Sequence, residues 1–277
     1  MAMIQPGNFS GVMQVSTPRR YSLSTWAVNG WIGQSLWDKP GAELAGEEPI
    51  GKLGEVPAEA AKFGIRNLEV CHFHLPRTRA TELKAAAEAA GVHLYQLLID
   101  DGDIADLENH ERDLAWIKGW VDIAAEGGFA RVRVIAGKTA PEGALDQVTE
   151  HLKDLTAYAK ARGIRVVIEN WFPLMSTPEA ILHVTRELGD ELGLCFDFGN
   201  WGGENKYSDL GQIVHLAESC HAKCNFVDGE PDLDDFVKCL ELTKEVGFNG
   251  PYTLVHGEAG NEWESLKVQL SALEPYI

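Results

Sequence analysis

Short β-like runs alternate repeatedly with longer helix-like runs along this sequence. The β-like runs begin near Ser22, Asn67, Leu94, Arg131, Arg165, Leu192, Cys220 and Tyr252. Eight strands with helices between them are what a closed parallel barrel requires, and such a barrel has about 250 residues. The 277 residues therefore predict an α/β fold in which residues 1–277 form a single (β/α)8 TIM barrel domain.

The residues at the expected helix ends support this division of the chain. Residues 80–90 are strong helix formers followed by Gly91, a natural C-terminal cap. Thr177 precedes Pro178, which places a capping residue before a first-turn proline. The longest predicted loop, residues 30–55, follows the first strand.

Alternation within the β-like runs predicts which side chains enter the barrel. In the second, fifth and sixth runs the apolar residues share one face, which suits packing under helices. Each of these runs carries one carboxylate on the opposite face, and these are Glu69, Glu169 and Asp197. Active sites of such barrels lie at the C-terminal ends of the strands. We therefore expect these carboxylates to be functional.

Three polar strand endings predict the chemistry of the barrel. They are Glu169-Asn170-Trp171, Asp197-Phe198-Gly199-Asn200 and His221-Ala222-Lys223. Because they close neighbouring strands, their Glu, Asp and His side chains form a donor set suited to Mn²⁺, Mg²⁺, Co²⁺ or Zn²⁺. A divalent metal ion held there would acidify a C–H beside a carbonyl. A carboxylate that removes this proton and returns it elsewhere would perform isomerisation or epimerisation.

These endings also carry a resemblance to a known family. Together with the run Tyr21–Trp26 and the Gly-Phe-Asn-Gly-Pro turn at 247–251, they resemble the xylose-isomerase-like TIM-barrel superfamily over nearly the whole chain. That superfamily includes sugar isomerases, ketose 3-epimerases, inosose dehydratases and apurinic endonucleases. The resemblance implies that Glu169, Asp197 and His221 are metal ligands.

The resemblance is broken at one position. The family's fourth ligand is usually a glutamate inside the last strand, where this chain has Val255. Glu258 reaching back from beyond the strand is the first alternative, His256 as a substitute is the second, and a missing ligand is the third. The ketose epimerases of the superfamily pass a proton between two glutamates, so Glu169 and Glu258 are the expected catalytic pair. If Glu258 does not reach, a dehydratase or a one-sided isomerase is favoured.

Further side chains near the strand ends are candidates for binding substrate. They are Glu69, His72, Trp171, Asn200, Lys223 and His256. An aromatic face suits the C–H surface of a sugar ring, and among the tryptophans near expected strand ends Trp171 is singled out because it follows Glu169. Lys223 would bind a substrate hydroxyl or carboxylate, or would neutralise nearby acids. No glycine-rich phosphate-binding motif is present, which favours a free sugar, a sugar acid or a cyclitol.

Each predicted ligand also has a structural explanation. Glu169 would then be paired with Arg131 or Arg133 of the preceding strand. Asp197 would cap the loop that follows it, as aspartate often does. His221 would be a histidine with its hydrogen bonds satisfied in the core. We favour the functional role for all three because ligand types recur on adjacent strands.

The charge of the chain limits the classes of partner. A net charge of −18 repels phosphate backbones and anionic lipid, so we expect no nucleic-acid and no membrane partner, but a small carbohydrate substrate. This charge also disfavours a DNA-repair hydrolase. Five cysteines, an odd number scattered through apolar segments, are typical of the reducing cytoplasm. A dehydratase acting on a keto-cyclitol or sugar acid, a non-catalytic barrel and a homo-oligomer remain open.

Overall fold

The structure is a computed structural model that describes residues 20–42, 48–228, 230–256 and 261–277. Eight parallel strands close into a barrel within these residues. They are β1 (Tyr21–Ser24), β2 (Asn67–Cys71), β3 (His93–Ile99), β4 (Arg131–Val134), β5 (Arg165–Glu169), β6 (Leu192–Asp197), β7 (Ala217–Cys224) and β8 (Tyr252–His256). Strand β8 pairs with both β7 and β1, so the barrel has no open edge. The prediction of a single (β/α)8 TIM barrel is confirmed.

Helices follow the strands around the outside of the barrel. They are α1 (Asn29–Ile32), α2 (Val56–Lys62), α3 (Ala80–Ala90), α4 (His110–Gly127), α5 (Ala144–Lys160), α6 (Pro178–Leu188), α7 (Lys206–Ile213), α8 (Leu233–Glu245) and α9 (Glu262–Leu273). Two predicted caps are confirmed: Gly91 ends α3 with a φ of 64°, and the Thr177 hydroxyl accepts from the Ala180 N–H at the start of α6. Within the described ranges, no helix has the length and apolarity needed to cross a bilayer.

The predicted strand faces are also confirmed. Leu68, Val70 and Ile168 are fully buried in the apolar layer between strands and helices. On the opposite face, Glu69 and Glu169 both contact one histidine of β7 inside the barrel. Strand alternation therefore delivers carboxylates to the interior while helices cover the apolar face.

The N-terminal end of the barrel has its own ion cluster. The Arg131 guanidinium lies 3.2 Å from the Glu218 carboxylate, and Arg165 forms a second ion pair with Glu218. Arg131 also lies over the Tyr95 ring, 4.5 Å from its centroid. These contacts of Arg131 lie at the end of the barrel opposite the expected active site, so the partner of Arg131 is Glu218 and not Glu169.

Gly250 in the turn before β8 tests how tightly this end of the barrel is packed. A Cβ at Gly250 would overlap the Glu218 carbonyl oxygen, whereas a Cβ at Gly202 would contact nothing within 4 Å. We expect Gly250→Ala to lower the free energy of unfolding by about 1–3 kcal/mol, the usual cost of overpacking. Gly202→Ala, the matched control, should change it by less. Denaturant unfolding of both variants measures this, and equal losses would contradict the assigned contact.

Candidate functional site

A cavity of about 330 Å³ opens at the C-terminal ends of the strands. Its polar floor is formed by Asp100, Arg133, Glu169, Asp197, Asn200, His221 and Lys223. Its walls are largely aromatic and include Trp26, Trp37, Phe73, Trp171 and Phe172. A concave, mostly apolar pocket with a few convergent polar groups is the usual form of a small-molecule site.

His221 is the centre of the floor. Its Nδ1 atom lies 3.3 Å from Glu169 Oε1 and 3.7 Å from Asp197 Oδ2. Its Nε2 atom lies 2.9 Å from Glu69 Oε2 on the other side of the ring. Burial would lower the pKa of His221, but the acidic groups around it, among them Cys195, Glu169 and Glu69, raise this pKa well above its ordinary value. The ring therefore lies where positive charge is strongly stabilised.

Glu169 is held from two sides. Its Oε1 atom accepts a 2.7 Å hydrogen bond from the Asn200 amide, and its Oε2 atom forms an ion pair of 2.9 Å with Arg133 Nε. Burial favours the protonated acid, but His221 and Arg133 hold the pKa of Glu169 below its ordinary value. The structural explanation, a pairing with Arg133, is therefore present together with the contact to His221, and the two do not exclude each other.

Arg133 joins two carboxylates beneath the cavity. It forms a second ion pair with Asp100, which directly follows β3. The guanidinium is almost fully buried and lies 5.1 Å from the centroid of the Trp171 ring. Burial alone would lower the pKa of Arg133, but Asp100 and Glu169 raise it, so this charge is permanent.

Asp197 also has two roles, one for each oxygen. Its Oδ1 atom accepts from the Gly199 and Asn200 N–H groups at 2.6 and 2.7 Å, which caps the loop after β6. Its Oδ2 atom faces His221. The Asn170 side chain fixes the position of Asp197, because it donates to the Asp197 carbonyl and accepts from the Asp197 N–H. The predicted capping role is present and leaves one oxygen for chemistry.

The donor set fits a divalent metal ion. Bonds of about 2.0–2.2 Å from oxygen and nitrogen ligands place neighbouring donors roughly 3–3.5 Å apart, close to the 3.3 and 3.7 Å separations from His221 Nδ1. The Nε2–H of His221 can donate to Glu69, which is the usual way in which a carboxylate orients a metal-binding imidazole. The donors that lie within 4.8 Å of one another in the described residues belong to Glu169, Cys195 and His221. Asp197 is not in this group, although its Oδ2 atom lies 3.7 Å from His221 Nδ1. Burial raises the pKa of Cys195 and so favours the neutral thiol.

Val255 stands where the resemblance places the fourth ligand, as the sequence indicates. Val255 lines the cavity at the C-terminal end of β8. Glu258, the preferred candidate for this role, lies outside the described residues. His256 alternates with Val255 and is turned to the outer face, where it packs against Phe226 with ring centroids 5.8 Å apart. Its assignment as a substitute ligand or a substrate-binding residue is therefore corrected: strand alternation directs it away from the cavity.

Two further substrate-binding assignments are corrected. Glu69 is fully buried below the cavity floor, where Gln96, Thr253 and His221 surround its carboxylate. It contacts His221 and is not among the residues that line the cavity. His72 is fully buried as well. Its Nδ1 atom accepts from the Asp100 N–H, and its Nε2 atom contacts the Asp38 carbonyl. Both ring nitrogens are occupied by backbone groups, so none faces a substrate.

The other predicted substrate-binding residues do line the cavity. They are Trp171, Asn200 and Lys223. Asp100 and Arg133 also belong to the floor, and neither is among the site residues predicted from the sequence. Arg133 has a signal in the sequence, because the alternating Arg-Val-Arg-Val of β4 places it on the inward face. Asp100 lacks such a signal, since it lies one residue beyond β3 and its place depends on Arg133.

Solved structures with the same fold are numerous, at low sequence identity. A xylose isomerase-like TIM barrel protein from Mycobacterium smegmatis in complex with magnesium is 16% identical, with a TM-score of 0.67 over 93% of this chain and 97% of that chain. A D-tagatose 3-epimerase-like protein is 17% identical, with a TM-score of 0.69 over 93% and 98%. The 3-keto-D-glucoside 4-epimerase YcjR from E. coli is 18% identical, with a TM-score of 0.65 over 81% and 94%.

These likenesses establish the fold, and the family follows from the sequence. No curated protein matches the chain. The family model described as xylose isomerase-like TIM barrel matches residues 57–264, which is well over half of the chain and includes Glu169, Asp197 and His221. The chain belongs to the family of xylose isomerase-like TIM barrels.

Proposed function

We propose that the protein is a divalent-metal-dependent isomerase or epimerase of an unphosphorylated sugar, keto-sugar or related polyol. One observation carries this proposal: the Nδ1 atom of His221 lies 3.3 Å from Glu169 and 3.7 Å from Asp197 at the floor of the cavity, while Glu69 holds the other nitrogen of the histidine. A divalent ion bound between these groups would take the place of the Nδ1 proton, and a carboxylate that accepts from the other ring nitrogen is the usual way in which a metal-binding imidazole is oriented.

Glu169, Asp197 and His221 would hold the ion, and Glu258 remains our candidate for the fourth ligand. Such an ion, when bound, polarises a substrate carbonyl and its neighbouring hydroxyl. Magnesium in the mycobacterial relative's crystal agrees with a hard or borderline ion in this fold.

The chain's own residues would perform the proton transfer. Glu169 is ionised and can take a proton from a carbon next to the carbonyl, because each carboxylate oxygen accepts more than one hydrogen bond. Lys223 and Arg133 lie on the same floor and would stabilise the negative charge that develops on the substrate oxygens. Asp100 lines the same cavity, and its carboxylate would accept a hydrogen bond from a substrate hydroxyl.

A dehydratase is the second candidate, and Val255 is the observation that favours it. Among the described cavity residues, no carboxylate of β8 stands where Val255 lies. An elimination needs only one base, Glu169, and one proton donor to the departing hydroxyl, for which the Lys223 ammonium is suitable. The outcome depends on Glu258, the expected second member of the catalytic pair.

A solvent-exchange assay tests the proposal. The Mn²⁺-supplemented protein is incubated in D₂O with free ketoses, keto-sugars and keto-cyclitols, and the products are followed by mass spectrometry and NMR. Deuterium at the carbon beside the carbonyl, with a rearranged sugar and no loss of water, is the expected result. Loss of water would establish the dehydratase instead. No exchange and no elimination on any substrate would contradict both candidates.

A further inference from the structure

Exposed tryptophans form one wall of the cavity mouth. Trp37 and Trp26 are 47% and 39% exposed, and both follow β1 in the chain. The Trp37 ring stacks on Phe73 with centroids 4.3 Å apart and planes 14° apart. The Trp26 ring meets the same Phe73 at 87°. The two indoles therefore form a right-angled aromatic corner around Phe73, open to solvent.

A second aromatic wall lies across the barrel. Trp171 and Phe172 follow β5, their ring centroids are 4.2 Å apart, and both line the cavity. In a closed barrel of eight strands, β5 is opposite β1, so the two walls face each other across the mouth. The space between them is a slot with aromatic surface on both sides.

Two residues of the slot have backbone conformations that are unfavourable for residues other than glycine. Among the described residues, only Trp37, Phe172 and Asp228 are non-glycine residues with positive φ, and Trp37 at 45° and Phe172 at 61° are both slot residues. Such conformations cost of order 1–3 kcal/mol each and cluster at ligand sites. The loop under Trp37 is fixed as well, since the Leu36 N–H donates to the Phe73 carbonyl at 2.7 Å. The indoles are thus presented in a rigid loop and do not collapse onto the core.

The aromatic slot and the polar floor require different ligand chemistry. The described cationic groups that line the cavity are Arg133 and Lys223. Both belong to the floor, where Arg133 is neutralised by Asp100 and Glu169. The slot therefore offers mainly aromatic stacking surface, with Lys39 Nζ 5.9 Å from the centroid of the Trp37 ring and the neutralised Arg133 5.1 Å from that of Trp171.

We propose that this slot is a subsite for an apolar or aromatic substituent, so that the substrate is a glycoside-like keto-sugar whose sugar end reaches the floor. The inference deepens the proposed function and rests on it for the sugar end. Rings that stack on two opposite aromatic walls gain attraction beyond their buried area. A substituent on the sugar that reaches Trp26 and Trp37 would remove these exposed rings from water.

Matched pairs of glycosides test the subsite without any turnover. Methyl and phenyl β-D-glucopyranosides, with the corresponding galactosides and mannosides, are titrated against the protein by calorimetry. We expect the phenyl member of at least one pair to bind about tenfold more tightly. Trp37→Ala should abolish this preference, and Trp37→Phe should retain it because a ring remains. Leu107→Ala, an exposed apolar residue outside the cavity, should leave it unchanged.

The outcomes separate the subsite from the proposed function. Equal binding within every pair, or a phenyl preference that survives Trp37→Ala, would overturn the subsite. If the preference is present and depends on Trp37, the subsite stands even when no sugar exchanges its proton with solvent, and that second result would count against the proposed reaction alone. Solvent exchange without a phenyl preference would leave the reaction in place and remove the subsite.

Discussion

Glu169→Gln should lower the rate of solvent exchange by about 10²–10⁴-fold, the usual contribution of a general base. The amide has nearly the volume of the carboxylate and can still accept from Asn200, which donates to Oε1. It cannot take up a proton from carbon, and it presents a neutral oxygen to His221. The barrel should therefore fold while the reaction stops.

Glu218→Gln is the matched control for this experiment. It makes the same chemical change in a carboxylate at the opposite end of the barrel, where Arg131 and Arg165 surround it. We expect its exchange rate to stay within a few-fold of the parent. If Glu169→Gln kept the parental rate, Glu169 would not be the base, and the structural role beside Arg133 would be its whole function.

Arg133→Ala should cost about 3–5 kcal/mol in the free energy of unfolding, because it leaves buried carboxylates without their cation. Asp100 loses the guanidinium that neutralises it, and Glu169 loses one of its two opposing charges. Arg133→Lys should recover part of the loss, since it keeps the charge without the planar fork that reaches both acids. The measurement is denaturant unfolding in the presence of a chelator, so that bound metal does not mask the change.

Arg131→Ala is the control for Arg133→Ala, because it also removes an arginine of β4 but leaves the Asp100, Arg133 and Glu169 group intact. Glu218 keeps Arg165 as a partner in that variant, and we expect a loss of about 1 kcal/mol or less, as for a partly exposed pair. A loss for Arg133→Ala no greater than that for Arg131→Ala would contradict the assigned burial of the Asp100, Arg133 and Glu169 group.

The local pattern of the sequence was sufficient to predict the fold and the proximity of Glu169, Asp197 and His221. The eightfold alternation and the strand faces depend on periods of two and 3.6 residues, which neighbouring side chains determine. Glu169 and Asp197 are each the last residue of a strand. Strands β5, β6 and β7 are adjacent in the barrel, so local pattern and topology together place these two carboxylates and His221 beside one another.

The local pattern did not predict the surroundings of a side chain where these depend on its depth in the barrel or on contact with a loop distant in the sequence. Glu69 is only the third of five residues in β2, so the same inward direction places it below the floor. The Nε2 atom of His72 is hydrogen-bonded to the carbonyl of Asp38, a residue of the long loop after β1. No spacing in the sequence predicts that contact. His256 is different, because alternation from Val255 already indicates the outward face.

The aromatic slot shows the same limit. Trp26, Trp37 and Trp171 all lie near strand ends in the sequence, and only Trp171 was singled out there. The other two tryptophans line the cavity because both pack on Phe73, a residue of the loop after β2. Contacts between residues this far apart in the chain depend on closure of the barrel and are not visible in local composition.

Metal content decides whether the cavity holds a divalent ion. The purified protein and a Glu169→Gln, His221→Ala double variant are each supplemented with Mn²⁺, dialysed and assayed for bound divalent ions. We expect stoichiometric metal in the parent and none in the double variant, since the variant removes two of the three proposed ligands. Parent protein that retains no metal after supplementation would contradict the proposed isomerase site.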